Sequence, residues 1–415
     1  MLPRLPRRLS FFFLNSAKVF LATLILTSGS WAGPKYQVLH AFGAGKDGTI
    51  LWGSLTLDGK GNLYGTTAGG GAHGYGTVFQ LIPKPDGRWE EVILYSFHDP
   101  YKSNDGGTPS ASLIFDGAGN LYGTTTVGGG SYTDGTVFEL SPGTHNWSET
   151  VIHRFGHNDK ASGPWGGVIM DGSGNLYGVG GCAFELSPEA GGRWNEHILH
   201  CFPAFDGDGW GELDRPIMGA AGNLYGTTEH GGTSKLCGGG CGTVYELQRT
   251  SGGWKEHILH DFGTGGDDMA FPGVGALVLD SAGNLYGTAG GGASRAGVVF
   301  RVNRSPDGHW KTTIQYAFTG GANGDQPGAG VVLDKAGNLY GTTIAGGDPN
   351  CGCGVVYKLA PQANGKWKYT LLHTFIGSDG AQPDANLILD SKGNLYGTTA
   401  TGGAGGAGVV FELTL

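Results

Sequence analysis

Aspartates recur at intervals along the whole chain and are the residues best placed to do chemistry. The main candidates are Asp47, Asp105, Asp325 and Asp379, several in the pattern Asp-Gly-x-x-Pro, as in "DGGTP" and "DGAQP". Two carboxylates can act as acid and base on a glycosidic bond, and several together can bind a cation or sugar hydroxyls. The simpler interpretation is an aspartate that caps its own turn. Related segments carry Asp159, Asp206, Asp208, Asp267 and Asp268.

The tryptophans fall into two groups. Trp52 and Trp165 each lie six residues before an aspartate that ends a short apolar run, and Trp210 lies in a related segment. Flat aromatic rings bury a large area at low entropic cost, so these three are candidate platforms for sugar rings. We predict that they bind a ligand together with the four main aspartates. The other group recurs at one turn position and is assigned to structure: Trp89, Trp147, Trp194, Trp254, Trp310 and Trp367.

Catalytic and metal-binding motifs are absent from the sequence. There is no G-x-S-x-G and no H-E-x-x-H, and the twice-occurring "EHILH" is the nearest approach. Residues three apart on a strand point to opposite faces, so we expect His197 and His200 not to share an ion. One strand position alternates between histidine and tyrosine, which indicates packing. We therefore predict no catalytic residue, no metal and no cofactor. The histidines at that position are His40, His153, His200, His260 and His373.

A sevenfold repeat must position these residues. "GNLYGTT" begins at Gly61, and close copies begin at Gly119, Gly174, Gly222, Gly283, Gly337 and Gly393. An apolar run ending in Asp precedes most copies, and runs such as "GTVFEL" and "EHILHDF" follow. All four runs have strand length and are bounded by turn residues. Each repeat is therefore predicted to be a four-stranded antiparallel meander, with strands A to D.

The chain ends indicate that the repeats close into a ring. The part after residue 32 starts with "YQVLHAF", a strand D alone, and the sequence finishes with "VVFELTL", a strand C with no D after it. The two fragments complete one unit, which leaves no open sheet edge, whereas a linear array needs capping repeats. We predict an all-β, seven-bladed β-propeller over residues 33–415. The N-terminal strand D pairs with the C-terminal strands A–C.

Each "GNLYGTT" is interpreted as strand B. The preceding Asp and Gly-Asn predict a tight A–B turn, which explains them more simply than calcium binding. Side chains then alternate, so that Leu63, Gly65 and Thr67 face one neighbouring blade and Tyr64 and Thr66 the other. We expect Gly65 to leave room for an aromatic ring from the next blade.

Residues 1–32 have the pattern of a secretory signal peptide. Basic residues precede the apolar run "VFLATLIL", and Ser30-Trp31-Ala32 offers a cleavage site. The alternative is an uncleaved membrane anchor, for which the run is short. The chain carries −9, and removal of four basic residues leaves −13. Such an acidic protein is a poor partner for nucleic acid. We expect a monomer without a membrane span, exported to the periplasm or secreted.

Six cysteines in an exported chain indicate disulfides. The C–D hairpin of the third repeat places Cys182 opposite Cys201, so we expect that bridge. Cys237 and Cys241 could close a small loop. Cys351 and Cys353 are separated by one glycine, where a bridge would be strained. A thiolate metal site built from these last four is the alternative.

The motif G-N-L-Y-G-T-T, followed by a glycine stretch and G-T-V-F-E-L, resembles the GloVer tandem repeat of choice-of-anchor GloVer-containing proteins. The resemblance covers residues 36–415. It implies bacterial export, often with a C-terminal anchoring segment, and it brings no established activity or catalytic residue. This sequence ends at Leu415 within strand C, so we expect release or periplasmic residence. A weaker resemblance links "GNLYGTT" to the sensor propellers of two-component regulators.

Two classes of function fit these observations. The first is a non-catalytic propeller that binds a glycan or an envelope protein on the face formed by the D–A and B–C loops, where the repeats differ most. The second is a polysaccharide hydrolase or lyase that uses two of the aspartates. The candidate acids look repeat-derived, which favours the binder.

Overall fold

The computed structural model describes most of the chain from residue 33 onward, and residues Pro34–Leu415 form one compact unit. The predicted signal peptide, Trp210 and the aspartates at 159, 206, 208, 267 and 268 lie outside the described residues. The described ranges are 33–43, 46–103, 105–129, 134–144, 146–156, 164–202, 209, 211, 215–264, 269–273, 275–292 and 294–415.

Seven four-stranded antiparallel sheets form the blades of a β-propeller, as the repeat predicts. Strands A to D of the first three blades are as follows. Blade 1 contains Thr56–Leu57, Leu63–Thr67, Thr77–Pro83 and Trp89–Ser96; blade 2 contains Ile114–Phe115, Leu121–Thr125, Thr136–Pro142 and Trp147–Arg154; blade 3 contains Val168–Met170, Leu176–Val179, Cys182–Pro188 and Trp194–Cys201.

The other four blades repeat this order. Blade 4 contains Ile217–Met218, Leu224–Thr228, Thr243–Thr250 and Gly253–Asp261; blade 5 contains Val278–Leu279, Leu285–Gly291, Val298–Arg304 and Trp310–Ala317; blade 6 contains Val332–Leu333, Leu339–Thr343, Val355–Pro361 and Trp367–Thr374; blade 7 contains Ile388–Leu389, Leu395–Thr398, Val409–Thr414 and, as strand D, Lys35–Ala41. Short additional strands are Gly106–Gly107, Val127–Gly128 and Met269–Pro272, and Gly321–Asn323 forms one 3-10 turn.

Blade 7 closes the ring from both ends of the chain. Its strand D, Lys35–Ala41, pairs antiparallel with strand C, Val409–Thr414, in the register Lys35 to Thr414 and Ala41 to Val409. The predicted closure is therefore confirmed. A strand edge with unpaired backbone groups can pair with another chain and aggregate, and this pairing removes one such edge.

The hydrophobic core is divided into seven clusters, and each lies between two neighbouring blades. The cluster between blades 1 and 2, for example, joins Tyr64 and Val78 to Leu121 and Phe138. Leu63 belongs to the cluster on the opposite side of blade 1. Strand B is thus buried on both faces, which explains why its residues are apolar or small throughout. The predicted alternation of Leu63 and Tyr64 is confirmed.

In six of the seven blades, an aspartate before the Gly-Asn holds the A–B turn, and in blade 4 Gly219 takes its place. Asp58 Oδ1 accepts hydrogen bonds from the backbone N–H groups of Lys60 and Asn62 at 2.8 Å, and its Oδ2 accepts from Asn62 Nδ2 at 2.7 Å and from the Tyr64 hydroxyl at 3.2 Å. Burial raises the pKa of Asp58, but these hydrogen bonds outweigh it and bring the pKa below its ordinary value. The aspartate stabilises a turn, as predicted.

The role predicted for Gly65 is wrong in one respect. A Cβ at Gly65 would lie 2.5 Å from Cζ of Phe79, which belongs to strand C of the same blade and pairs directly with Gly65. The ring therefore crosses over its own sheet instead of reaching in from the next blade. The same pairing occurs in every blade, with Phe or Tyr on strand C opposite each strand-B glycine.

Strand D carries a β-bulge in each blade, which the sequence analysis did not anticipate. In blade 3 the register shifts so that Phe184 pairs with Ile198 and Ala183 with His200, leaving Leu199 as the extra residue. A bulge resets the alternation of faces, so the rule of residues three apart does not apply to His197 and His200. They nevertheless have different neighbours: Asn195 for His197 and Glu256 for His200.

The six cysteines form three disulfides. Cys182 and Cys201 are directly paired residues of strands C and D with Cα atoms 3.9 Å apart, in line with the expected bridge. Cys237 is bonded to Cys241, and Cys351 to Cys353. The last four sulfurs are thus held in bonds instead of being thiolate ligands, and disulfides of this number fit an oxidising compartment.

The glycine beneath the strand-C ring generates a stability prediction. In Gly123→Ala the new methyl would lie 2.5 Å from Phe138 Cζ and 2.8 Å from Leu113 Cδ2. Overpacking of this kind costs about 2 kcal/mol, which lowers the Tm of a domain this long by about 2–3 °C. Gly117→Ala is the matched control, because nothing lies within 4 Å of its Cβ position. Calorimetric melting that found the two variants equally stable would contradict this account.

Candidate functional site

A cavity of about 440 Å³ is lined by residues that immediately precede strand A in six blades. Because the strand-A ends of six blades reach one cavity, it lies at the centre of the ring, on the face of the D–A loops. Trp52 of blade 1 and Trp165 of blade 3 both line it, with 41% and 44% of their surface exposed. The structure thus brings two of the three predicted tryptophans to one place.

A residue with positive φ introduces most of these lining segments. Thr108 has a φ of 56°, and its N–H donates to the Tyr75 carbonyl of blade 1 at 2.8 Å. Its own carbonyl accepts from the N–H of Thr126 at 3.3 Å. Such a conformation persists only where the surroundings fix it. The hydrogen bonds to two blades therefore fix the path of the chain just before Ser110. Equivalent segments contain Ile50, Phe271, Gln326 and Gln382.

The cavity wall differs strongly from blade to blade. Where blade 5 lines the cavity, its backbone approaches blade 6 so closely that a Cβ at Gly275 would lie 1.5 Å from the nitrogen of Gly330. Only glycine fits at this position. Blades 1 and 3 carry the two indoles, whereas blades 4 and 7 carry Arg215, Asp384 and Asn386. The wall therefore combines aromatic surfaces with charged and amide groups.

Polar groups of the wall are partly fixed by the neighbouring blades. Asn386 Oδ1 accepts a hydrogen bond from the Gly330 N–H at 2.6 Å, and its own N–H donates to Ser54 Oγ at 3.0 Å. Ser110 is 7% exposed, and its hydroxyl has no hydrogen-bond partner among the described residues. A hydroxyl can donate once and accept twice, so Ser110 has unused hydrogen-bonding capacity beside the cavity.

Sequence reasoning missed the polar half of the wall, although the signal was available. Trp52, Ser110, Trp165 and Asp384 all occupy the position six residues before the residue that begins the A–B turn. A second equivalent position, two residues later, includes Arg215 and Asn386 along with Ser54, Ser112 and Ala276. Comparing the seven repeats at these two positions would have separated the variable wall from the constant turn.

The four predicted aspartates do not line this cavity among the described residues. Asp105 Oδ2 accepts from the Tyr95 hydroxyl at 2.9 Å and from the His98 N–H at 3.0 Å. Asp379 Oδ1 accepts from the Ile376 N–H at 2.8 Å, and its Oδ2 lies 3.0 Å from His373 Nε2. These contacts match the capping interpretation. Asp325 pairs through its backbone with Ala345, and Asp47 lies beside His40.

The strand-D histidine position contacts acids at the blade interfaces. His153 Nε2 lies 3.5 Å from Glu196 of the next blade, and His200 Nε2 lies 3.4 Å from Glu256. The interpretation of this position as packing alone was therefore incomplete. Each glutamate lies two residues after the strand-D tryptophan of its own blade. In the later interfaces that position holds Thr312, Tyr369 and Tyr36 instead.

An all-β ring of seven repeats with a cavity on its axis defines the class: a repeat-built β-propeller with a central pocket. The sequence matches the model of the Gloeobacter/Verrucomicrobia repeat over residues 26–191, 179–361 and 306–415. The chain therefore belongs to the Gloeobacter/Verrucomicrobia repeat family, in agreement with the GloVer resemblance. No curated protein is significantly similar to it.

Solved structures with a similar fold include extracellular domains of two hybrid two-component systems of B. thetaiotaomicron. One has a TM-score of 0.56 at 12% identity, and the other 0.52 at 13%. Each comparison covers 92% of this chain but only 42% and 41% of those extracellular domains. A structure described as a gluconolactonase has a TM-score of 0.43 at 12% identity, with 92% of both chains covered. At these identities only the fold is shared. In the described part of this chain, no helix is long and apolar enough to cross a membrane.

The interface between blades 1 and 2 yields a prediction on pH. Burial, together with the nearby charge of Asp105, raises the pKa of Glu149 to about 7, although Arg154 opposes this. The unfolded chain releases that proton near its ordinary pKa of about 4.5, so the folded state holds more protons between pH 4.5 and 7. The contribution of Glu149 to stability therefore falls as the pH rises through this window.

Glu149→Gln removes this charge and should stabilise the protein by about 1–2 kcal/mol at pH 8, which corresponds to about 2 °C in Tm. At pH 4 the variant should melt within error of the parent protein. Melting curves of both proteins from pH 4 to 8 check this. An equal gain at both ends of the range would show that packing, not charge, is responsible.

Proposed function

We propose that this protein acts outside the cytoplasm as a non-catalytic propeller that binds a glycan in its axial cavity. The observation that carries the proposal is the pair of half-exposed indoles, Trp52 and Trp165, on the wall of one cavity. Exposed tryptophans are uncommon, because each leaves a large apolar surface in water. Two of them facing one cavity provide flat apolar surfaces against which the C–H faces of sugar rings can pack.

The remaining wall supports a polyhydroxylated ligand. A guanidinium, a carboxylate and an amide supply both donors and acceptors around the same space. Charged groups of both signs, Arg215 and Asp384, favour neutral sugars over a strongly charged polymer. A cavity of about 440 Å³ accommodates a small number of sugar units, in the usual range of ligand sites.

Binding without cleavage is the better-supported reading of the cavity. Hydrolysis by the usual route needs two carboxyl groups on either side of the glycosidic bond. Among the described residues that line the cavity, Asp384 is the one carboxylate. The D–A aspartates considered as an acid–base pair are instead bonded within their loops, as Asp105 and Asp379 show.

Export is supported by two independent features. The N-terminal 32 residues have the pattern of a signal peptide, and the three disulfides are typical of an oxidising compartment. The extracellular propellers with the same fold agree with this location. A periplasmic or secreted protein meets polysaccharides and envelope components, which are the ligands that the cavity fits.

Glycan binding is tested by titrating the purified protein with a panel of polysaccharides and oligosaccharides in a calorimeter. We expect saturable binding to at least one neutral glycan. Trp52→Ala/Trp165→Ala should weaken it by roughly tenfold or more, because truncating a central aromatic anchor costs about 2 kcal/mol. Chromatography of the glycan after incubation should show no shortened products.

Tyr101→Ala is the matched control, since Tyr101 is also an aromatic residue, 51% exposed, but does not line the cavity. It should bind as the parent protein does. Equal loss in the control and in the double variant would contradict an axial site. Shortened products that disappear in Asp384→Asn would replace the binder with an enzyme. No binding to any glycan would leave a protein partner as the ligand.

A further inference from the structure

A cluster of three potential metal ligands lies where the ring closes, among residues that do not line the axial cavity. His40 is on strand D of blade 7, Asp47 follows it in the D–A connection, and Glu91 is on strand D of blade 1. One atom from each lies within 4.8 Å of the other two, and it is the one such group among the described residues. The three side chains are 22%, 21% and 14% exposed.

The distances in this cluster are too long for hydrogen bonds. His40 Nε2 lies 3.8 Å from Asp47 Oδ2 and 3.7 Å from Glu91 Oε2. His40 Nε2, Asp47 Oδ1 and Glu91 Oε1 are each buried without a hydrogen-bond partner among the described residues. Buried polar atoms normally have partners, so an unpartnered atom on each of three adjacent side chains needs an explanation. Two ligands of one zinc ion lie about 3.4–3.8 Å apart at angles of about 110–130°.

The interface between blades 6 and 7 offers an internal comparison. His373 and Asp379 occupy the positions of His40 and Asp47, but Tyr36 replaces the glutamate. There His373 Nε2 lies 3.0 Å from Asp379 Oδ2, within hydrogen-bond distance, and the Tyr36 ring stacks on the imidazole at 3.7 Å. The histidine and the aspartate thus come within hydrogen-bond distance of each other at the interface that has no third potential ligand. Where Glu91 is present, the imidazole stands between two carboxylates and bonds to neither.

We infer that His40, Asp47 and Glu91 form a site for one divalent transition-metal ion of the zinc class. An imidazole nitrogen with two carboxylate oxygens suits zinc, whereas calcium and magnesium prefer oxygen ligands alone. The ion would compensate two neighbouring carboxylates that are both removed from water. His40 also packs edge-on against Phe42 at 4.5 Å, which fixes the plane of its ring.

The position of the site gives it a structural role. His40 and Asp47 come from the N-terminal segment that completes blade 7, and Glu91 comes from the first complete blade. A bound ion would tie these two segments together across the blade interface, next to the ring closure. Because the ligands assemble only in the folded ring, binding would stabilise the folded state by linkage.

The test compares zinc binding to the purified, metal-free protein and to variants, with a competing chromophoric chelator. Glu91→Gln should bind one equivalent fewer than the parent protein, or bind that equivalent roughly tenfold or more weakly. At a hundredfold excess over the dissociation constant, zinc should raise the Tm of the parent by about 3 °C, and calcium or magnesium should not. Glu91→Gln should lose this rise.

Two further variants keep the inference falsifiable. His40→Tyr copies Tyr95, the natural residue at the next interface, and should abolish the same equivalent even if Glu91→Gln does not fold. Asp379→Asn is the control at the interface with only two candidate ligands, and should leave zinc binding unchanged. The inference is wrong if Glu91→Gln and His40→Tyr bind zinc as the parent does. It is equally wrong if the control loses the same equivalent, or if only calcium raises the Tm.

Discussion

The structure depends on one constraint: strand B of each blade is buried on both faces and must satisfy two neighbours at once. Its five residues make different contacts. Tyr64 bonds the A–B turn of its own blade, and four of the equivalent tyrosines pack edge-on against a tryptophan of the following blade, as Tyr122 does with Trp194. The glycine admits the strand-C ring. Thr66 donates to the Ala111 carbonyl of the next blade at 3.0 Å, while Thr67 bonds Thr77 within the blade. Few other residues fit these positions, which explains why the chain repeats nearly the same sequence seven times.

These contacts explain how much of the fold could be predicted. Strand lengths, turn chemistry and the complementary chain ends are local or additive signals, so the blades, the ring and its closure followed from the sequence. The position of the ring over Gly65 did not, because either a neighbouring blade or the same sheet could supply an aromatic ring, and only the register of strands B and C decides between them. The strand-D bulges escaped for a related reason. A bulge leaves no mark in composition, yet it shifts every later side chain to the other face.

The aromatic part of the candidate site was predicted from the sequence, and its polar part was not. Trp52 and Trp165 stood out because two large aromatics occupy one repeat position, and the structure places both on the axial cavity. Asp384 occupies that same position but was hidden among many more conspicuous aspartates in the D–A loops. Those aspartates recur because the loop needs a cap, as Asp105 shows with its hydrogen bonds to the backbone and to Tyr95. In a repeat protein, a polar residue shared by all copies thus indicates a role in the scaffold. A polar residue that appears in one copy, at a position facing the axis, indicates a role in ligand binding.

The same reasoning applies at the blade interfaces, with a different outcome. The strand-D histidine is common to five blades, which pointed to packing, and its contacts with Phe42 and Phe155 agree with that role. What varies is its partner on the next blade, which changes from glutamate in the first interfaces to threonine or tyrosine in the later ones. A repeated scaffold residue can therefore acquire a new role when a neighbour changes. At the closure the glutamate lies beside a histidine and an aspartate that are already fixed by the fold. The ring thus supplies the geometry of both proposed sites, and the residues that vary among the repeats supply their chemistry.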